Sequence, residues 1–275
     1  MEEVNSQEVR LGINHAQIIE EVLKPTVRIR TDKAIGSGSI IKSDEEGTYI
    51  LTNRHVVDDA IEYKDVWDEL LRREVKKEFT KLVEVDIPKI NKIGNQVALT
   101  TAQAEIVLSN SEQDMALLHL KDEDVYPSVK WYPKDLADKI PILTPLASCG
   151  AAMGEKPIVT FGNLNGIGIE IDNYEYDLSS ASSVFGFSGG TVFANLNGSW
   201  HFVGIPSRVR VAIIGFSVDV VPFLSYFIPI RRVYKWLTDN CYEFLWGEKS
   251  KEECDKAREE KRQKELAIAI AREKA

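Results

Sequence analysis

Cysteine is scarce, with only Cys149, Cys241 and Cys254 in 275 residues. An odd count without framework spacing excludes a disulfide scaffold and fits a reducing compartment, so a packed core has to hold the fold. Histidine is also rare, four in all. His15, His119 and His201 have no partner at ligand spacing, so we expect no metal site and no cofactor. Positive charge is in deficit: 34 Lys and Arg against 43 Asp and Glu give a formal net charge of −9. Phosphate recognition needs a basic stripe, and Arg28-Ile-Arg30 and Arg231-Arg232 are too short to be one, so no nucleic-acid partner is expected. No apolar run reads as a membrane span. The longest, residues 211–230, holds Asp219 and Pro222 among β-branched and aromatic residues, which predicts buried strands and no membrane partner. The amino terminus, Met1-Glu-Glu-Val, is acidic, and no apolar stretch of export length follows. That predicts a cytoplasmic chain.

What is present is enough for a core: 44% of the residues are hydrophobic. Residues 7–23 carry Val9, Ile13, Ile18, Ile19 and Val22 at loosely helical spacing before Pro25, which predicts an amino-terminal helix within residues 1–24. Short strand-like runs follow at 26–30, 38–41, 48–52, 96–99, 104–108 and 115–120. Among them Val66, Trp67, Leu70, Leu71, Val75 and Phe79 recur at helical spacing between charges, predicting an inserted helix over 63–81 that packs on the strands. After a polar connector, strands resume near Ile142 and at 158–161, 167–171, 190–194, 200–205 and 209–218. Residues 231–247 read as a packing helix, with Val233, Trp236, Leu237 and Leu245 on its apolar side. The remainder, 248–275, reads as a charged helical tail in which Glu252 with Lys256 and Glu260 with Lys264 stand four apart.

Three stretches carry chemistry. Leu51-Thr-Asn-Arg-His55 ends an apolar strand and puts an imidazole at its mouth. Asp114-Met-Ala-Leu-Leu opens another strand, placing one carboxylate at the edge of a dry core. Gly186-Phe-Ser188-Gly-Gly190 sets a hydroxyl among glycines that let the backbone turn sharply. A serine hydroxyl is a poor nucleophile until a neighbouring base takes its proton, and an imidazole in that role needs an acceptor on its other nitrogen. The set therefore predicts His55 as base and then acid, Asp114 as the orienting group and Ser188 as nucleophile. Asp58 and Asp59, close behind His55, read as exposed and are the weaker candidates for the orienting role. Backbone N–H groups of Gly186 and Ser188 are the expected donors to an oxyanion.

At these residues the sequence resembles the trypsin-like, chymotrypsin-fold serine proteases, and within them the HtrA/Deg type. Gly36-Ser-Gly-Ser-Ile-Ile, Gly47-Thr-Tyr-Ile-Leu-Thr-Asn, Ile158-Val-Thr-Phe-Gly-Asn and Phe227-Ile-Pro-Ile resemble further family segments in the family's order. The resemblance implies an all-β, chymotrypsin-like double six-stranded β-barrel with added amino-terminal, inserted and carboxy-terminal helices. The first barrel would span 25–125 and the second 126–230. It also implies a serine endopeptidase acting on polypeptide substrate through an acyl-enzyme, and a homo-oligomer, since such relatives are often trimers. No PDZ module is recognisable. Phe187 stands where secreted relatives have an Asp that binds a new amino terminus, so activation by that route is not expected. By alignment, Ser182 falls at the base of the primary specificity pocket, and Ser207, Arg208 and Val209 fall on the strand that pairs with substrate. With no acid at that base, a basic side chain would enter unpaired. Cleavage after small or aliphatic residues is expected. The alternative is a catalytically inactive peptide-binding module of the same fold.

Overall fold

The computed structural model describes residues 14–69, 72–214 and 217–273. Six antiparallel strands close the first barrel in the order β1-β2-β3-β8-β7-β6. They are β1 (Thr26–Arg30), β2 (Ile35–Asp44), β3 (Gly47–Thr52), β6 (Val83–Ile90), β7 (Gln96–Asn110) and β8 (Met115–Leu120), with β4 (Ile61–Asp68) and β5 (Arg73–Thr80) standing apart as a two-stranded sheet. A second closed barrel runs β10-β11-β14-β13-β12-β9. Its strands are β9 (Pro145–Gly150), β10 (Ile158–Ile171), β11 (Tyr174–Ser179), β12 (Thr191–Leu196), β13 (Ser199–Ile214) and β14 (Ser217–Pro229). Closure gives each barrel strand a neighbour on both sides.

The central strands of the first barrel are apolar on both faces because each face meets a different core. Ile50 on β3 and Ala116, Leu118 and Leu120 on β8 join Val27, Ile29, Ile40 and Val85 inside the barrel. Their neighbours Tyr49, Leu51, Met115 and Leu117 turn the other way and pack with Leu146, Phe193, Phe202 and Ile228 of the second barrel. The two-residue period of the strand thus sorts one continuous apolar run between a barrel interior and the seam between barrels. That seam fixes the ends of β3 and β8 against the second barrel.

Among the helices, α1 (His15–Ile18) runs into a wider turn, Ile19–Leu23. It docks through Ile18 and Val22, and Glu21 accepts from Trp200 N–H at 2.8 Å. Residues 1–13 of the predicted amino-terminal helix lie outside the described residues. The predicted helix over 231–247 is shorter, α2 (Ile230–Asp239), with Ile230, Val233, Tyr234, Trp236 and Leu237 buried on one stripe, followed by a single tight turn, Glu243–Trp246. The tail forms α3 (Lys251–Glu273), opened by reciprocal Ser250 and Glu253 bonds of 3.1 and 2.8 Å. Cys254 is buried and Arg258 lies 4.2 Å over the Tyr242 ring, after which the helix is mostly exposed. Among the described residues the ion pairs of this helix are Lys251 with Asp255, four apart, and Arg258 with Asp255, three apart, and not the expected Glu252 with Lys256 or Glu260 with Lys264.

The predicted inserted helix over 63–81 is corrected to the β4–β5 hairpin, in which Val66 pairs with Val75 and Tyr63 with Glu78. Leu70 and Leu71, which helped suggest a helix, lie outside the described residues. The remaining apolar positions are β-branched or aromatic, and Ile61, Tyr63 and Trp67 share one strand face at even spacing. The hairpin does not pack on the barrel as expected: Tyr63, Trp67 and Phe79 stay exposed. β6 and β11 add strands that the pattern did not indicate, and the strand placed near Ile142 begins at Pro145.

Candidate active site

His55 sits on the tight turn Arg54–Ala60 that leaves β3, and Asp114 on the turn that enters β8. Pairing of Thr52 with Ala116 brings the two turns side by side. The Asp114 backbone is left-handed, φ 55°, and its carbonyl accepts from Asn53 Nδ2 at 2.9 Å. His55 Nδ1 then lies 2.9 and 3.0 Å from the two carboxylate oxygens of Asp114, and His55 N–H donates to Oδ1 at 3.1 Å. Ser207 Oγ, from the second barrel, donates to Oδ2 at 2.8 Å. Burial alone would push the Asp114 carboxyl upward, but the His55 ring and backbone and the Ser207 hydroxyl hold it below the usual carboxylate range. The competing carboxylates are engaged elsewhere. Asp58 pairs with Arg54, and Asp59 accepts from Thr31 Oγ1 at 2.6 Å and Lys33 N–H at 2.9 Å.

Ser188 stands in the loop between β11 and β12, whose carbonyls are pinned on all sides. The Ser188 carbonyl accepts from Ser37 N–H at 2.9 Å, Gly189 N–H donates to Pro206 at 3.1 Å, and Gly190 N–H donates to Phe187 at 2.9 Å. Two glycines are obligatory here. A Cβ at Gly186 (φ 95°) would lie 2.1 Å from the Ala151 carbonyl, and one at Gly189 (φ 81°) 2.1 Å from Thr52 Oγ1. Among the described residues, no protein acceptor takes the N–H of Gly186 or Ser188. Phe187 is buried, with its ring close to Gly150, so the position carries apolar packing and no carboxylate.

His55 and Ser188 line one cavity of about 340 Å³ together with Ser183, Val184, Phe185, Phe187, Pro206, Ser207, Arg208 and Val209. Ser207, Arg208 and Val209 are therefore beside His55 and Ser188. Among the described residues lining the cavity, Ser183 appears and Ser182 does not. The Ser182 carbonyl accepts from Thr160 Oγ1 at 2.7 Å. Among the described residues, no carboxylate lines the cavity. Arg208 is held at its rim by Asp172 at 2.6 Å and lies 5.2 Å over the Tyr176 ring. Among the described residues, no group of three His, Cys, Asp or Glu side chains could hold a metal ion. Sequence reasoning missed Asn53 and the second task of Ser207. Asn53 adjoins the histidine in the motif, but its bond is to a backbone carbonyl that no motif encodes.

An imidazole–carboxylate pair on one closed barrel, facing a glycine-flanked serine on another across a shared cavity, defines the chymotrypsin-like class of two-barrel proteins. The family described as trypsin-like peptidase domain matches residues 36–205, more than half of the chain, and the chain belongs to that family. Among solved structures, the chain is similar to the HtrA-type protease AlgW with a tripeptide, at 20% identity and a TM-score of 0.57. It is also similar to a serine-to-alanine variant of AlgW with a tripeptide, at 19% identity and a TM-score of 0.58. Each likeness covers 84% of this chain, and the chain spans 64% of each of those proteins, less than two thirds. At such identity the likeness concerns the fold. No curated protein matches the sequence. No described helix is long and apolar enough to cross a membrane.

Proposed function

We propose that the chain is a serine endopeptidase. The observation that carries this reading is the two-point contact of His55 Nδ1 with the Asp114 carboxylate. It commits Nδ1 to carrying the proton and leaves Nε2 as the basic nitrogen, in a cavity that Ser188 also lines. Ser188 Oγ attacks the scissile carbonyl as its proton passes to His55 Nε2, and Asp114 balances the imidazolium. The oxyanion receives the N–H groups of Gly186 and Ser188. Collapse expels the amine, protonated by His55, and leaves an ester on Ser188. Water, deprotonated by the same imidazole, hydrolyses that ester. The apolar side chains of Val184, Phe185, Phe187, Pro206 and Val209 in the cavity wall, with no carboxylate among the described residues that line it, support cleavage after small or aliphatic residues.

One observation favours the binding-module reading: among the described residues, no hydrogen bond joins His55 to Ser188 Oγ. Catalytic contacts are often long without substrate and tighten on binding. A fluorophosphonate probe decides between the two. The wild type is expected to label at Ser188 and Ser188→Ala not to label. A folded wild type that stays unlabelled overturns the peptidase reading.

A further inference from the structure

Side chains of the first barrel hold the oxyanion loop of the second. Ser37, on β2 and fully buried, touches that assembly at three points. Its Oγ donates to the Gly186 carbonyl at 2.6 Å and accepts from Ala151 N–H at 2.7 Å, while its own N–H donates to the Ser188 carbonyl. The carbonyl on the other side of Gly186, that of Phe185, accepts from Met153 N–H at 2.7 Å. In a trans peptide the C=O and N–H point in opposite directions, so a Phe185 carbonyl drawn to Met153 turns Gly186 N–H away from that residue.

In the turn carrying Met153, residues 151–154, Ala151 is buried while Ala152 and Gly154 are only partly so. Met153 is 73% exposed with φ 52°, and the turn borders a cavity of about 590 Å³ whose lining includes Arg28, Asp86 and Leu99. Two anchors from the first barrel reach it: Ser37 Oγ at Ala151 N–H, and the Arg28 guanidinium, which donates to the Gly154 carbonyl at 2.7 Å. Arg28 is aimed by the Asp86 carboxylate, 2.9 Å from its Nε. Asp86 is fully buried and is also bound by Arg30 and Thr101.

We propose that Ser37 and Arg28 are positioning residues for the reaction at Ser188. Acting across the seam between the barrels, they set the direction of the Gly186 N–H through the Gly186 carbonyl and the 151–154 turn. The proposal rests on acyl transfer at Ser188. It makes the oxyanion donor of one barrel dependent on strands β1 and β2 of the other.

The test compares Ser37→Ala, Arg28→Ala and Arg28→Lys with wild type on a cleavable peptide, with rates expressed per folded molecule. Ser37→Ala is expected to lower kcat about 10- to 100-fold and Arg28→Ala about 3- to 10-fold, less than the 10²–10³ of deleting a donor outright. KM is expected to stay within about 2-fold, because ground-state binding does not need the oxyanion donor. Arg28→Lys is expected to recover part of the loss. Unchanged kcat per folded molecule in both alanine variants overturns the proposal. Crystal structures of the same variants supply a readout independent of activity. A Phe185–Gly186 peptide that rotates off Met153 in either variant supports the proposal, whereas one unmoved in both overturns it. If wild type fails to label with fluorophosphonate, the peptidase reading falls by itself and the crystal comparison still judges the tether.

Discussion

At the scale of single residues, the site depends on how Asp114 is used. Its carboxylate takes three donors, two from His55 and one from Ser207, and these outweigh the cost of its burial. Asp114→Asn keeps the volume but puts an amide donor where an acceptor is needed. The imidazole is then driven to the wrong tautomer, and kcat is expected to fall about 10⁴-fold. Ser207→Ala removes one hydrogen bond to a charged group, so a loss of about 10-fold in kcat is expected, the size of a net charge-assisted bond of about 1.5 kcal/mol. Steady-state kinetics on both variants check the ordering. A Ser207→Ala loss as large as that of Asp114→Asn would show that Ser207 acts on substrate as well as on the carboxylate. Residues of this kind differ in how legible they are. As candidates, His55, Asp114 and Ser188 can be read from sequence because each sits beside a strand end or a glycine turn. Ser37 and Asn53 cannot, because their partners are backbone groups that only the assembled seam brings near.

At the scale of elements, legibility follows burial. β3 and β8, packed on both faces, announce themselves as continuous apolar runs. β6 does not, since Pro88 and charges interrupt it. It pairs with β1 only over residues 84–86, so Pro88 falls beyond that ladder and stands opposite Leu99 of β7 alone, on a stretch with one free edge. The β4–β5 hairpin is obscured for a different reason: its aromatic residues Tyr63, Trp67 and Phe79 are exposed, so their spacing records no packed face. Beyond Ile61, the hairpin meets the barrel through polar contacts such as Ser109 Oγ with Glu78 at 3.3 Å, and Lys81 closes its base on Glu62 at 3.0 Å. Replacing residues 62–79 with a short turn is therefore expected to leave the barrel folded. The change in Tm should stay within about 4 °C, the shift that about 1 kcal/mol produces in a chain of this size. Thermal unfolding followed by circular dichroism measures it. A fall of more than about 10 °C would mean that the hairpin carries core stability after all.

At the scale of the whole molecule, the seam between barrels carries both stability and alignment, and one buried carboxylate sits close to it. Asp86 gathers Arg28 and Arg30 from β1 and Thr101 from β7. Burial opposes its charge, but those donors prevail and bring its pKa down from the ordinary 3.8 to about 2. A folded-state pKa below the unfolded one means that the charged form favours folding. The contribution of Asp86 is thus complete above about pH 4 and disappears as the pH falls through 2. Asp86→Asn removes the charge at every pH. The stability gap between wild type and variant is therefore expected to be widest near pH 6 and to close on acidification to pH 2. Urea unfolding at several pH values measures the gap, and one that stays constant from pH 6 to pH 2 rules out the charge as its source. Because the same carboxylate aims Arg28 at the 151–154 turn, kcat in Asp86→Asn is expected to fall in company with stability at pH 6. A variant that loses stability but keeps full kcat per folded molecule would separate the two roles of the seam.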